Sequence, residues 1–370
     1  MRETIVDRAY AKTLLPPRKE DGHKGDFGKL LVLGGSVGYT GAPYLAASAA
    51  VHSGCGLVYL GVPESIWAVE AQKCVSAMPF PLPETDGRLC LAALDKMQDK
   101  LKGCDVLALG PGLGRGKETE QLVHALLWQV KEPLVLDADG LNALQGCTEK
   151  LDVRRGRVTI LTPHDGEFAR LTDRTLREIA SSERTELASR FACEHGCILV
   201  LKGHRTRIAL PDGRMLVNTS GCSALSKGGS GDVLTGLIAS LLCQGVGAAE
   251  AAALGVWLHG RAGELLAQEK RNKAAASNDS AACLIEVKTG KAPPNESGAL
   301  LPILTEDGKD HFLPGMRFGS SACLTTRFVR AKRAMTLGMT MRLLNISLSS
   351  QTRSLAIIVP RKMKMSARMV

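Results

Sequence analysis

Residues 227–236 read KGGSGDVLTG and lead straight into the apolar run 237–243. Gly228, Gly229 and Gly231 leave the backbone N–H groups, with that of Ser230, free to approach a ligand closely. At the start of a helix such groups form an anion hole. Asp232 then falls in the first helical turn. A carboxylate there caps the helix, or it takes the proton from a hydroxyl that attacks a phosphoryl group. Two other phosphate loops fail. The pattern G-x-x-x-x-G-K-[ST] is not met at Gly116-Lys117, because Glu118 follows and Pro111 stands where glycine is needed. A dinucleotide fingerprint G-x-G-x-x-G fails at Gly110, Gly112, Gly114 and Gly116, and again at residues 34–41. That weighs against a nicotinamide dehydrogenase of the usual kind.

Outward from this loop, short apolar runs at 29–35, 56–62, 104–110, 133–137, 157–161 and 197–201 read as buried strands. Residues 41–54, 118–130, 139–145, 176–195, 230–244 and 248–267 read as helices. Residues 206–210 and 214–218 flank Pro211-Asp212-Gly213 and predict a hairpin. Residues 1–28, with Pro16-Pro17, read as an irregular leading segment. The alternation predicts an α/β fold: a mostly parallel central sheet with helices on both faces. In such sheets ligands lie beyond the carboxyl ends of the strands. The strand ends here carry Gly34-Gly35, GPGLG (110–114), DADGLN (137–142), TPHDGE (162–167) and KGHRT (202–206). Gly and Asp are also ordinary turn residues, but five such loops in succession read as a ligand-binding rim.

The chain has 370 residues, 45% of them apolar and 23% charged, so it can bury a large core and is not a disordered chain. Aromatic residues are only 4%, which argues against a stacking surface for single-stranded nucleic acid. The net charge of +10 would suggest an acidic partner, but residues 1–270 hold 31 basic and 31 acidic side chains. The whole excess sits in 271–370. Eleven cysteines without a C-x-x-C point to a reducing, cytoplasmic setting. There is no apolar leader and no run of 18 apolar residues, so neither export nor a membrane span is expected. The segment Cys193-Glu-His-Gly-Cys197 suggests metal, but no second cluster completes four ligands. It reads better as a helix end with Gly196 at C′. Residues 311–370 hold no Asp or Glu and 7 of the 11 Met. They fit a poorly structured basic extension, sequence foreign to the protein such as an out-of-frame read-through, or an arm for nucleic acid or anionic membrane.

The stretches 24–62, 106–114, 134–144, 160–171, 199–206 and 227–245 together resemble the ADP/ATP-dependent NAD(P)H-hydrate dehydratase family, a branch of the ribokinase-like superfamily. The resemblance runs over about residues 20–268 and has no room for the epimerase domain that precedes it in many members. It implies a ribokinase-like domain over 1–268, with 269–370 as an atypical basic C-terminal tail. It implies a stand-alone, cytoplasmic and often homotetrameric lyase that returns hydrated NADH or NADPH to the native cofactor. ADP or ATP with Mg²⁺ would drive the reaction by phosphorylation of the 6-hydroxyl and elimination of phosphate. Hydroxide leaves poorly and phosphate well, so the protein has mainly to position groups and stabilise charge.

Residue roles follow from the resemblance. Asp232 is the catalytic base and a substrate contact. Gly228, Gly229, Ser230 and Gly231 hold the transferring phosphate. Lys202, Gly203, His204, Arg205 and Thr206 contact the nucleotide, although Lys202 alone would read equally as a solvated strand-end lysine. His164, Ala42, Gly112 and Gly114 contact the hydrated dinucleotide. Glu167 orients Mg²⁺ through water, or caps a helix. Asp137 and Asp139 share the rim, with a metal or phosphate-water role open. Cys222, Ser223 and Ala224 depart from the family pattern, and the usual final helix after about Leu266 is not recognisable. The alternative reading is a ribokinase-like kinase of a vitamin alcohol.

Overall fold

The structure, a computed structural model, describes residues 3–17, 20–179 and 183–276 and the pairs 302–303 and 311–312. The chain divides into two units, 1–318 and 319–370, and every described residue belongs to the first. The basic stretch 311–370 therefore lies, but for 311–312, outside the described residues.

The chain opens with β1 (Glu3–Val6) and α1 (Arg8–Thr13), then β2 (Lys29–Leu33), α2 (Gly41–His52), β3 (Leu57–Pro63) and α3 (Glu64–Lys73). An edge strand β4 (Met78–Leu82) and a small hairpin, β5 (Glu84–Thr85) with β6 (Arg88–Leu89), precede α4 (Ala93–Gly103). Next come β7 (Val106–Leu109), α5 (Lys117–Gln129), β8 (Leu134–Leu136), α6 (Ala138–Asn142), β9 (Thr159–Leu161), α7 (Asp165–Leu171), α8 (Leu176–Ile179) and α9 (Arg184–His195). The last major elements are β10 (Ile198–Leu201), β11 (Arg207–Ala209), β12 (Met215–Asn218), α10 (Ser230–Cys243) and α11 (Ala248–Ala276).

Ten strands form one sheet in the order β1-β12-β11-β10-β9-β8-β7-β2-β3-β4. Only β11 runs against its neighbours, β10 and β12; every other pair is parallel. Because side chains alternate along a strand, each strand feeds two cores. Leu30 and Val32 join Val106 and Ala108 on the face covered by α2, α10 and α11, whereas Leu31 and Leu33 join Leu107 and Leu109 beneath α4, α5, α7 and α9. This two-sided burial explains why the strands read as continuous apolar runs.

The chain leaves β2 outward through β3 and β4, then returns to β7 on the other flank of β2. The loops after β2 and β7 therefore diverge at a topological switch point, where a crevice opens beyond the strand ends. They also pin each other: Gly35 N donates to Pro111 O at 2.8 Å.

Two expectations change. Residues 1–28 are not wholly irregular, since β1 pairs in parallel with β12 (Glu3 beside Met215, Val6 beside Asn218). The helix expected over 176–195 is two helices, α8 and α9. The small-residue face of α2 (Pro43, Ala46, Ala47, Ala50) is buried inside the chain. There it meets α10 so closely that a Cβ on Gly236 would collide with Ala46 O. Gly196 does close α9 in the left-handed conformation, at φ 63°.

Candidate active site

The centre of the rim is a buried ionic knot. Asp137 follows β8, is 1% exposed, and does not cap α6 with its own side chain. Its Oδ1 accepts hydrogen bonds from Lys202 Nζ at 2.9 Å and Thr162 Oγ1 at 2.8 Å, and its Oδ2 accepts one from Thr235 Oγ1 at 2.8 Å. Burial pushes the Asp137 carboxyl up, but the Lys202 ammonium and these hydrogen bonds more than offset it. The net pKa lies below the ordinary value. Lys202, at the end of β10, is the mirror case: burial lowers its pKa, and Asp137, Glu167 and Asp232 raise it more. Next to Asp137, Ala138 sits at φ +48°, a conformation costly for a residue with a Cβ.

Asp232 enters this knot from the first turn of α10. Burial, followed by the nearby Asp137 charge, pushes its carboxyl up to about 6; Glu167 and Asp139 add to the shift and Lys202 opposes it. Among the described residues its carboxylate makes no hydrogen bond. Gly231 lets α10 approach: a Cβ there would lie 3.3 Å from Lys202 Nζ and 3.8 Å from Asp137 Oδ2. Gly229, at φ +91°, stands at the start of α10, where a Cβ would lie 2.6 Å from Leu45 Cδ1, and Gly228 faces open space. Ser230 Oγ is buried with no hydrogen-bond partner among the described residues.

His164 and Glu167 form a capping box on α7. His164 Nδ1 accepts from Gly166 N at 2.9 Å, while Glu167 Oε2 accepts from His164 N at 2.8 Å. The Glu167 carboxylate also stands 3.7 Å from Lys202 Nζ. A parallel bridge brings His164 beside Lys202.

The glycine rim lies alongside. Ser36 Oγ donates to Gly112 O at 2.8 Å, and Gly114 N donates to Asp139 Oδ2 at 2.9 Å. A Cβ on Gly112 would lie 3.0 Å from the Ala42 Cβ. Asp139 thus joins Gly114 to the carboxylates around Asp232.

In the 202–206 loop, Arg184 Nη2 donates to Lys202 O at 2.8 Å, and Thr206 Oγ1 donates to Gly203 O at 3.0 Å. His204 and Arg205 are exposed, and among the described residues no hydrogen bond ties their side chains to the knot. The structure therefore gathers Lys202, His164, Glu167, Gly231 and Asp232 around Asp137, and Ala42, Gly112 and Gly114 on the adjoining rim.

Three further residues belong here. Thr162 and Thr235 hold Asp137, and each is the threonine inside a motif already singled out, TPHDGE and GDVLTG. His259, on α11, faces the Ser230 backbone. Burial and the charges of Lys202 and Lys227 push its pKa down to about 4, so it is neutral.

Among the described residues no group of three His, Cys, Asp or Glu is placed to hold a metal ion. His195, from the Cys193–Cys197 segment, instead meets Asp152 Oδ1 at 3.0 Å. No described helix is long and apolar enough to cross a membrane.

The family model described as NAD(P)H-hydrate dehydratase matches residues 30–286. The bifunctional NAD(P)H-hydrate repair enzyme Nnr of Moorella thermoacetica is 45% identical over 276 residues, 74% of this chain and 52% of that protein. The chain thus spans about half the length of such curated relatives. The ADP-dependent (S)-NAD(P)H-hydrate dehydratase of Neisseria meningitidis is 40% identical over 67% of this chain and 80% of its own length. Among solved structures, the ADP/ATP-dependent NAD(P)H-hydrate dehydratase of Bacillus subtilis, co-crystallized with ATP/Mg²⁺, superposes with a TM-score of 0.59 at 31% identity. The match covers 72% of this chain and 90% of that one. A ribokinase-like superfamily protein of Enterococcus faecalis gives a TM-score of 0.61 at 25% identity, over 72% of this chain and 89% of its own.

Proposed function

The chain belongs to the NAD(P)H-hydrate dehydratase family, and from that membership we propose that it removes water from hydrated NADH or NADPH at the expense of ADP or ATP. The observation that carries this reading is Asp232, a carboxylate with no hydrogen bond among the described residues and a pKa raised to about 6, in the first turn of a helix opened by glycines. Such a group is ionised at neutral pH and basic enough to take a proton from a hydroxyl.

Asp232 takes the proton of the 6-hydroxyl as its oxygen attacks the terminal phosphoryl group of the nucleotide. The N–H groups of 228–231 hold that phosphoryl group, and Lys202, fixed by Asp137, adds positive charge beside it. Phosphate then leaves as the ring nitrogen pushes its electron pair toward carbon 6, and loss of a proton from the ring restores the double bond. ADP would be left as AMP and phosphate. Gly112, Gly114 and Ala42 give the dinucleotide a backbone surface to lie on, and His164 borders it. The loop 203–206, exposed at Gly203, His204 and Arg205 and buried at Thr206, is assigned to the nucleotide.

The carboxylates suit a magnesium ion carried in on the nucleotide. Mg²⁺ keeps most of its waters and takes one or two carboxylates plus phosphate oxygens. Glu167, through water, is the group that would face it. When bound it neutralises charge on the phosphates.

Three assignments complete the proposal: cytoplasmic location, assembly as a homotetramer, and a catalytic domain ending near 268 with the basic extension separable from it. Helix α11 continues past that boundary to Ala276, so a truncation should follow the helix.

Recovery of nicotinamide absorbance from (S)-NADPH hydrate, with Mg²⁺ and either ADP or ATP, tests the activity. Recovery that needs nucleotide and disappears in Asp232→Asn is expected. No recovery by folded, nucleotide-binding protein would overturn it in favour of a vitamin-alcohol kinase.

A further inference from the structure

One cation on the rim has no role above. Arg88, in β6, lays its side chain over the glycine loop: a Cβ on Gly114 would lie 3.1 Å from its Cδ and 3.2 Å from its Nε, with Ser36 Oγ also at 3.2 Å. A Cβ on Gly116 would lie 3.6 Å from the same Cδ. Two other cations of the rim are ion-paired, Lys202 with Asp137 and Arg184 with Asp165. Among the described residues no carboxylate comes within ion-pair distance of Arg88, and its guanidinium makes no hydrogen bond.

The hairpin carrying it is firmly held. Glu84 accepts from Ser65 N at 3.0 Å and Ser65 Oγ at 2.7 Å. Thr85 Oγ1 donates to Glu118 Oε2 at 2.8 Å, and Thr119 Oγ1 donates to Leu89 O at 2.8 Å. On the other side Val37 N donates to Gly87 O at 2.9 Å, and Ser36 bridges Arg88 itself. A two-residue hairpin tied to α3, α5 and the loop after β2 is more anchorage than a surface turn needs. It holds the Arg88 stem beside Gly114 and Gly116. An arginine is a planar fork of donors that matches a phosphate oxygen pair, and it gives up little freedom when its stem is already packed.

We propose that Arg88 is a phosphate-binding residue of the dinucleotide site, pairing with a phosphoryl group of the substrate that lies along the Gly112–Gly114 loop. This rests on the dehydratase reading. Both forms of the substrate carry a pyrophosphate, and the NADPH form adds a 2′-phosphate; the two share the chemistry Arg88 would recognise.

The test measures KM of wild type, Arg88→Met and Arg88→Lys for NADH hydrate and NADPH hydrate, and for the nucleotide in parallel. Loss of a charge-assisted contact should raise the dinucleotide KM about 10- to 100-fold in Arg88→Met. Arg88→Lys should fall between, and the nucleotide KM should stay where it is. A rise with both hydrates identifies the pyrophosphate, and a rise with NADPH hydrate alone identifies the 2′-phosphate. Unchanged KM for both hydrates, or a rise confined to the nucleotide, overturns the assignment. Inactive wild-type protein would count against the dehydratase reading instead. Should Arg88→Met fail to fold, Arg88→Gln takes its place with the same criteria.

Discussion

Lys202 Nζ and Asp137 Oδ1 meet at 2.9 Å at the ends of two strands 65 residues apart in sequence, and both side chains are largely buried. The pair shapes the charge that Asp232 experiences, because Asp137 raises and Lys202 lowers the Asp232 pKa. Replacing Lys202 by Met leaves Asp137 as an uncompensated buried charge with two threonine hydroxyls for support. Such a break costs about 3–5 kcal/mol. Lys202→Met should therefore melt well below wild type, and the double variant Lys202→Met/Asp137→Leu should recover much of the loss, although not activity. Melting curves of the three proteins check this; equal stability of Lys202→Met and wild type would contradict it.

The pH dependence of activity follows from Asp232. A base with a pKa of about 6 is protonated and idle below that pH. The catalytic rate should rise tenfold per pH unit below about 6 and level off above about 7. Moving the Asp137 charge away, in Asp137→Asn, should shift this limb to lower pH, since the Asp137 carboxylate contributes to raising it. A rate profile that ignores this substitution would remove Asp232 as the titrating group.

Stability against pH carries two opposed signatures. Asp232 is raised in the fold, so its share of stability is whole below the unfolded value near pH 4 and is lost as pH rises through about 6. His259 is neutral in the fold down to about pH 4, so its share is whole above about 6.5 and is lost as pH falls toward 4. Each term is at most about 3 kcal/mol by linkage, and between pH 4 and 6 they cancel in part. Asp232→Asn should expose the His259 slope, making stability fall more steeply as pH drops from 6 to 4. It should also make the inactive protein more stable than wild type at pH 7–8. Denaturant midpoints across this range decide the matter, and a parallel pair of curves for variant and wild type would exclude the Asp232 contribution.

How much of this was legible before the structure depends on where each residue's partner lies. The strands at 29–35, 104–110 and 197–201 showed themselves because both faces are buried, so hydrophobicity alone marked them. Strand β4 did not: Pro79 and Pro81 interrupt the pattern, and proline is tolerated there because β4 is an edge strand. Strand β1 is four residues whose sheet partner among the described residues is some 212 positions away, and nothing local announces that pairing. In the site, glycines and Asp232 stood out because the loop chemistry is local. The dominance of Asp137 did not, since its burial comes from Lys202, Thr162 and Thr235, each on a different element. Arg88 was silent for the same reason: its meaning lies in Gly114, on the far side of α4 and β7.

The glycines of the rim separate into two kinds, which substitution by alanine should tell apart. Gly110 sits at φ +130°, and a Cβ there would collide with the Asp137 carbonyl, which is backbone and cannot give way. Gly110→Ala should therefore fail as a fold, with a loss of about 3 kcal/mol or more and little soluble protein. Gly231 lies within helix α10, and its Cβ would meet the far end of the Lys202 side chain at 3.3 Å and Asp137 Oδ2 at an ordinary contact distance of 3.8 Å. Gly231→Ala should fold with a melting temperature near wild type, yet displace Lys202 and narrow the phosphate site. A displacement near 1 Å costs about 100-fold in rate. Melting curves and turnover of the two variants side by side provide the check. A stable, fully active Gly231→Ala would mean that the phosphoryl group does not pass between α10 and Lys202.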